Sequence, residues 1–118
     1  MRWLFVIAVA LLLAPAASAR NYKADILLNP APEVGAESAV TGCGYEPLKE
    51  IQLTVIWYSD EVGTLVESWV TYPVADASGC MSTSWTFATP GYYQLWTMQS
   101  NRSGNGVQVK SRIDLEVE

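Results

Sequence analysis

Apolar and polar residues alternate with a period of two along most of the chain beyond residue 24. The clearest run is Glu50-Ile51-Gln52-Leu53-Thr54-Val55-Ile56-Trp57. Ile51, Leu53, Val55 and Trp57 fall on one side of it, and Glu50, Gln52 and Thr54 on the other. This pattern predicts a strand with one face buried. Cys43 precedes it across a Gly-Tyr-Glu-Pro turn, and Trp57 closes it, so Trp57 is expected at the centre of a small core.

The same reading predicts six further strands. Ala24–Leu28 is a short edge-like strand stopped by Asn29-Pro30-Ala31-Pro32, because proline donates nothing to a ladder. Glu37–Cys43 alternates weakly through Ala39, Thr41 and Cys43. Leu65–Tyr72 is rich in valine, tryptophan and tyrosine and ends at Pro73. In Cys80–Phe87, Met81, Thr83, Trp85 and Phe87 share a side. Tyr92–Ser100 follows the Thr89-Pro90-Gly91 corner. In the last strand Val107, Val109, Ile113, Leu115 and Val117 share a face, with Ser111 the exception. No segment carries a 3.6-residue period. Seven short strands, each followed by turn residues, predict an all-β sandwich or barrel.

The first nineteen residues read differently. Arg2 precedes an apolar run from Trp3 to Ala14, Pro15 interrupts it, and Ala17-Ser18-Ala19 has the small-x-small form of a cleavage site. Twelve apolar residues fall short of the ~20 that span a bilayer. The expectation is therefore a signal-peptide helix over residues 1–19, one domain over residues 20–118, and no membrane span after cleavage. That places the domain outside the cell, at its surface or in the periplasm.

Charge and cysteine content narrow the possibilities. The chain carries 7 basic and 12 acidic residues, and removal of Arg2 with the leader leaves a net charge of −6. An acidic surface is repelled by nucleic acid and by anionic membrane, so neither is expected as a partner. Two cysteines, Cys43 and Cys80, in an exported chain imply one disulfide. Two free thiols or half of a metal site are the alternatives, and the chain has no histidine and no close Cys-x-x-Cys pair to support a metal.

At this point the domain region resembles an immunoglobulin-like β-sandwich. Trp57 follows Cys43 by 14 positions, the spacing between strands B and C of immunoglobulin domains, and Gly91-Tyr92-Tyr93-Gln94-Leu95 resembles the tyrosine corner at the start of strand F, with Tyr93 as the corner residue. Val40-Thr41-Gly42-Cys43-Gly44-Tyr45-Glu46-Pro47 and Asp76-Ala77-Ser78-Gly79 resemble turns of bacterial immunoglobulin-like and fibronectin-III-like modules. The resemblance implies a Greek-key sandwich of about seven antiparallel strands. Antibody domains place their second cysteine two residues after the corner tyrosine, where this chain has Leu95. Cys80 instead opens the strand corresponding to E, a neighbour of B. A Cys43–Cys80 bond is thus expected to join adjacent strands and not to cross the core.

Catalytic chemistry finds little footing. Without histidine the usual base for a serine or cysteine nucleophile is missing. No Ser-x-x-Lys spacing occurs, Asp60-Glu61 lacks the partners of a calcium loop, and Asn101-Arg102-Ser103 matters only as a glycosylation triplet. Neither enzymatic activity nor a cofactor is expected. Aromatic residues are more informative, because four tryptophans and six tyrosines remain after the leader is removed. If Tyr93 points inward at the corner, then Tyr92, Trp96 and Met98 point outward, beside Ile56 and Tyr58 of the neighbouring strand. Ile56, Tyr58, Tyr92, Trp96 and Met98 are therefore expected as an exposed binding face for a protein or glycan. The alternative is a small-ligand carrier or inhibitor of neocarzinostatin-like type, which normally has a deep cleft and two disulfides.

Overall fold

A computed structural model describes residues 22–58, 65–100 and 106–118, with the side chains of Leu65 and Val66 not described. The leader, Asp60-Glu61 and the Asn101–Ser103 triplet lie outside the described residues. Seven strands are present among the described residues: β1 (Leu27–Asn29), β2 (Glu37–Cys43), β3 (Gln52–Tyr58), β4 (Leu65–Thr71), β5 (Cys80–Thr86), β6 (Gly91–Ser100) and β7 (Val107–Val117). They form two antiparallel sheets, ordered β1-β2-β5 and β4-β3-β6-β7. The described chain is all-β, as its two-residue periodicity predicts. β1 begins three residues later than expected, the others within a residue of their expected starts.

The sheets meet over one apolar cluster. Val40 and Met81 come from the three-stranded sheet, with Phe87 just past β5. Leu53, Val55, Tyr93 and Leu95 come from the four-stranded sheet, and all seven are buried. Phe87 meets the Tyr93 ring edge-on, with centroids 4.9 Å apart. Burying a side chain of this size contributes about 1.5–3 kcal/mol, so this shared layer holds the sheets together. Trp57 does not occupy the centre. Its inward side chain is only partly buried, and its indole N–H donates to the Pro90 carbonyl at 3.2 Å. Gly91 makes room there: a Cβ on it would lie 2.3 Å from the indole nitrogen. Phe87, which is fully buried, takes the central position expected for Trp57.

Two strands present faces other than those the alternation suggests. In β2 the buried residues are Ser38, Val40 and Gly42, so Ala39, Thr41 and Cys43 look outward. Gly42 faces inward because the backbone of Asp25 passes over it: a Cβ would lie 2.0 Å from the Asp25 carbonyl oxygen. In β7 the pairing with β6 passes from Thr97↔Ser111 to Met98↔Val109, leaving Lys110 as an extra residue. Such a bulge reverses the faces beyond it. Ser111 and Val117 are buried on the inner face, with Ile113 and Leu115 packed against the core, while Val109 pairs with the outward Met98 and Val107 is 62% exposed.

Ser111 is thus no exception to the inner face. Its hydroxyl meets those of Thr97 and Tyr45 in a buried cluster. Tyr45 belongs to the turn before β3, and its ring packs in the core. Nearby, the Gln99 amide accepts from Glu46 N at 2.8 Å and donates to the Glu46 carbonyl at 3.1 Å, which ties this turn to β6.

Candidate functional site

Cys43 and Cys80 are directly opposite in the β2–β5 register and form a disulfide, with Cα atoms 4.0 Å apart. The bond lies on the outward side of the three-stranded sheet and joins neighbouring strands without crossing the core. A bond of this kind belongs to an oxidising compartment. At its β5 end, the Asp76 carboxylate accepts from Ser78 N at 2.8 Å and Cys80 N at 2.9 Å, so the Asp76–Gly79 turn delivers Cys80 to its partner.

The Tyr93 hydroxyl donates to the Thr89 carbonyl, four residues upstream, at 2.6 Å. That bond fixes Tyr93 inward, and strict alternation then carries Leu95, Thr97 and Gln99 inward with it. The outward row of β6 is Tyr92, Gln94, Trp96 and Met98. The β3–β6 register sets Tyr58 opposite Tyr92, Ile56 opposite Gln94, Thr54 opposite Trp96 and Gln52 opposite Met98. Ile56, Tyr58, Tyr92, Trp96 and Met98 therefore share the outer face of the four-stranded sheet. All five are half-buried, not exposed as the alternation of β3 and β6 suggests.

Gln94 sits in the middle of this face, and its side-chain oxygen accepts from the Tyr58 hydroxyl at 3.3 Å and the Trp96 indole N–H at 3.1 Å. The Arg112 guanidinium lies over the Trp96 ring, 4.7 Å from its centroid. Asp114 holds that guanidinium with both oxygens, each at 3.2 Å. Tyrosine, amide, indole, guanidinium and carboxylate thus form a continuous chain of contacts across three strands. It orders side chains that are otherwise costly to immobilise, so the face is already arranged.

The more exposed apolar residues of the face lie at its margins, at positions not expected from the sequence. Val70 and Tyr72, from β4 and just past it, are 43% and 55% exposed. β4 is an edge strand whose outward positions, Ser68 and Val70, pair with Ile56 and Thr54. The signal was present, since Val70 and Tyr72 alternate with Trp69 and Thr71, but which of the two sets faces outward follows only from the pairing with β3. Tyr72 and Val107 form opposite walls of an open depression of about 140 Å³ with Gln52 and Met98 between them. A second depression, of about 240 Å³, lies between the Tyr22–Ile26 segment and Ser111–Ile113. Both are smaller than the ~300–1,000 Å³ that drug-sized ligands occupy.

The chain matches no protein-family profile and no curated protein. Among solved structures it is similar to the crystal structure of the PmoD soluble domain from Methylocystis sp. ATCC 49242 (Rockwell). The TM-score is 0.51, with 12% identity over 84% of this chain and 94% of that one. The likeness is one of fold. It carries no residue of a site across.

Proposed function

We propose that this chain is an exported, non-enzymatic binding module, an immunoglobulin-like sandwich that contacts a protein or glycan through the outer face of β3, β6, β7 and β4. The observation that carries the reading is the convergence of Tyr58, Tyr92 and Trp96 on one face, laced together by Gln94 and flanked by exposed Val70 and Tyr72. Aromatic anchors that combine a large apolar surface with a polar tip are the groups that dominate recognition surfaces. The tyrosine-corner bond and the β2–β5 adjacency support the immunoglobulin-like description. The outward disulfide supports export, in keeping with the leader-like first nineteen residues.

The test is capture of partners from the medium or surface of the producing cells by wild-type protein and by a Tyr92→Ser/Trp96→Ser variant. Both side chains look outward, so the variant keeps its fold, checked by an unchanged near-ultraviolet signal from the remaining aromatics, and loses its partner. Equal capture by the two proteins refutes the assignment of this face.

A further inference from the structure

The backbone of β4 is open along one side. Ile51 N donates to the Pro73 carbonyl at 2.7 Å and Ala75 N to the Lys49 carbonyl at 2.9 Å, so the opposed residues Glu50 and Val74 exchange no hydrogen bonds with each other. The same register runs on through Leu53↔Thr71 to Ile56↔Ser68. By the alternation of an antiparallel ladder, the N–H and C=O groups of Ser68, Val70, Tyr72 and Val74 therefore point away from β3. None of them has a hydrogen-bond partner among the described residues. Pro73 does not block this edge, because the N–H it lacks would point toward β3.

The other margins are guarded or offer less. β1 has three residues, and the ladder of β7 is dislocated at Lys110. β5 is open beyond Cys80, whose N–H and C=O are taken by Asp76, but its solvent-facing residues are Ser82, Ser84 and Thr86. On β4 and its extension the solvent-facing row includes Val70, Tyr72 and Val74, all exposed. From Ser68 to Val74 no residue is charged, in a chain with 12 acidic and 7 basic residues.

This segment is complementary to itself. We infer that two copies of the chain join β4 to β4, antiparallel and centred on Thr71, and so merge their four-stranded sheets into one. Val70 then lies opposite Tyr72 of the second copy and Ser68 opposite Val74, each pair exchanging two backbone hydrogen bonds. On the inner row Trp69 lies opposite Pro73 of the second copy, and Thr71 meets Thr71. Aromatic with β-branched and threonine with threonine are favourable cross-strand pairs. The Thr71 hydroxyl, buried without a hydrogen-bond partner in one copy, gains its counterpart. No charges of like sign are opposed between Ser68 and Val74, so a second acidic chain can approach here. The two-fold axis stands perpendicular to the sheet, so the outer faces of both copies look the same way. The inference is therefore independent of the binding role proposed above.

The test is sedimentation equilibrium of the exported protein, paired with amide hydrogen exchange over the same concentrations. A seam this short is expected to give a dimer with Kd on the order of 10–100 μM. The amides of Ser68, Val70, Tyr72 and Val74 should gain protection as the dimer forms. Val70→Lys/Tyr72→Lys sets like charges across the seam and should weaken association more than about tenfold. Val70→Glu/Tyr72→Glu should do the same, and an equimolar mixture of the two variants should restore a dimer. Both positions are exposed, so each variant keeps its fold, checked by its urea midpoint at low protein concentration. Val107→Lys, on the opposite margin of the sheet, should associate as wild type does.

A protein that stays monomeric up to millimolar concentration overturns the inference. So does a dimer that forms without protecting those amides, or a mixture of the lysine and glutamate variants that remains monomeric. If the β4 amides gain protection only when a captured foreign protein is added, the edge takes that protein's strand, and the pairing of two copies is refuted while the binding role stands.

Discussion

Replacing Tyr45 with phenylalanine removes a single oxygen from the most interconnected point of the interior. That oxygen lies 3.0 Å from the Asp25 carbonyl, 3.0 Å from the Thr97 hydroxyl and 3.1 Å from the Ser111 hydroxyl. The phenolic proton goes to the Asp25 carbonyl or to the Thr97 hydroxyl, and the hydroxyls of Thr97 and Ser111 supply their own protons to the phenol oxygen or to each other. In Tyr45→Phe the Thr97–Ser111 bond survives and uses one of those protons. The other is left without an acceptor, in a place where Thr97 and Ser111 are 0% and 2% exposed. One orphaned buried donor costs about 1–3 kcal/mol. The expected loss is thus about 2 kcal/mol, or about 8–16 °C in Tm for a domain of this size.

The assay is urea unfolding of the oxidised protein, followed by tryptophan fluorescence. A second variant makes the reasoning sharper. Adding Thr97→Val and Ser111→Ala to Tyr45→Phe removes the orphaned donor together with its neighbours, so the triple variant should be no less stable than Tyr45→Phe alone, despite two further substitutions. A Tyr45→Phe protein within about 0.5 kcal/mol of wild type, or a triple variant whose loss is the sum of three independent ones, refutes the account.

Two further outcomes follow from the same structure. Replacing Cys43 and Cys80 together by serine opens a loop between residues 37 apart in sequence and should cost about 3–4 kcal/mol, read as a lower urea midpoint; an unchanged midpoint would mean that β2–β5 pairing alone restrains the unfolded chain equally well. Tyr45 and Tyr93 both ionise above their ordinary value of 10.0, chiefly through burial, with the charge of Asp25 acting on the first and that of Glu67 on the second in the same direction. The folded state then keeps these protons at a pH where the unfolded chain has released them, so their contribution to stability is full below about pH 10 and is lost as pH rises above it. The urea midpoint should fall above that pH, and less steeply in Tyr45→Phe; a midpoint that stays level there would show that neither phenol is shielded.

Strand positions were legible because a half-buried sheet imposes its period on the residues that form it. The pairing of Cys43 with Cys80 was legible for another reason, since two cysteines at the facing ends of neighbouring strands leave little choice. Faces were harder to read. Val107 and Val109 continue the parity of Ile113 and Leu115, and only the extra residue at Lys110, which depends on how β7 meets β6, places them on the other side. The inward face of β2 was hidden by Gly42 and Ser38, small or polar residues whose burial is dictated by the passing Asp25 backbone and by a bond from Ser38 to the Pro30 carbonyl at 2.9 Å. Trp57 read as a core residue by size, yet its indole N–H needs an acceptor and finds one at the Pro90 corner, away from the centre. On the candidate face, the alternation of β6 and β3 located Tyr58, Tyr92 and Trp96. Arg112 and Asp114 could not be added without the β6–β7 register.

The bulge at Lys110 has a consequence for how this molecule behaves in a crowd. β7 is the longest strand, 11 residues, and it forms the margin of its sheet. A straight alternating strand in that position is a template on which another molecule's backbone can grow, the first step toward fibrils. Here the ladder is dislocated at Lys110, and the carbonyl of that residue is already engaged by the Ala24 N–H at 3.0 Å. A visiting strand finds its track interrupted part-way, so the longest ribbon in the domain is a poor seed for stacking one copy on the next.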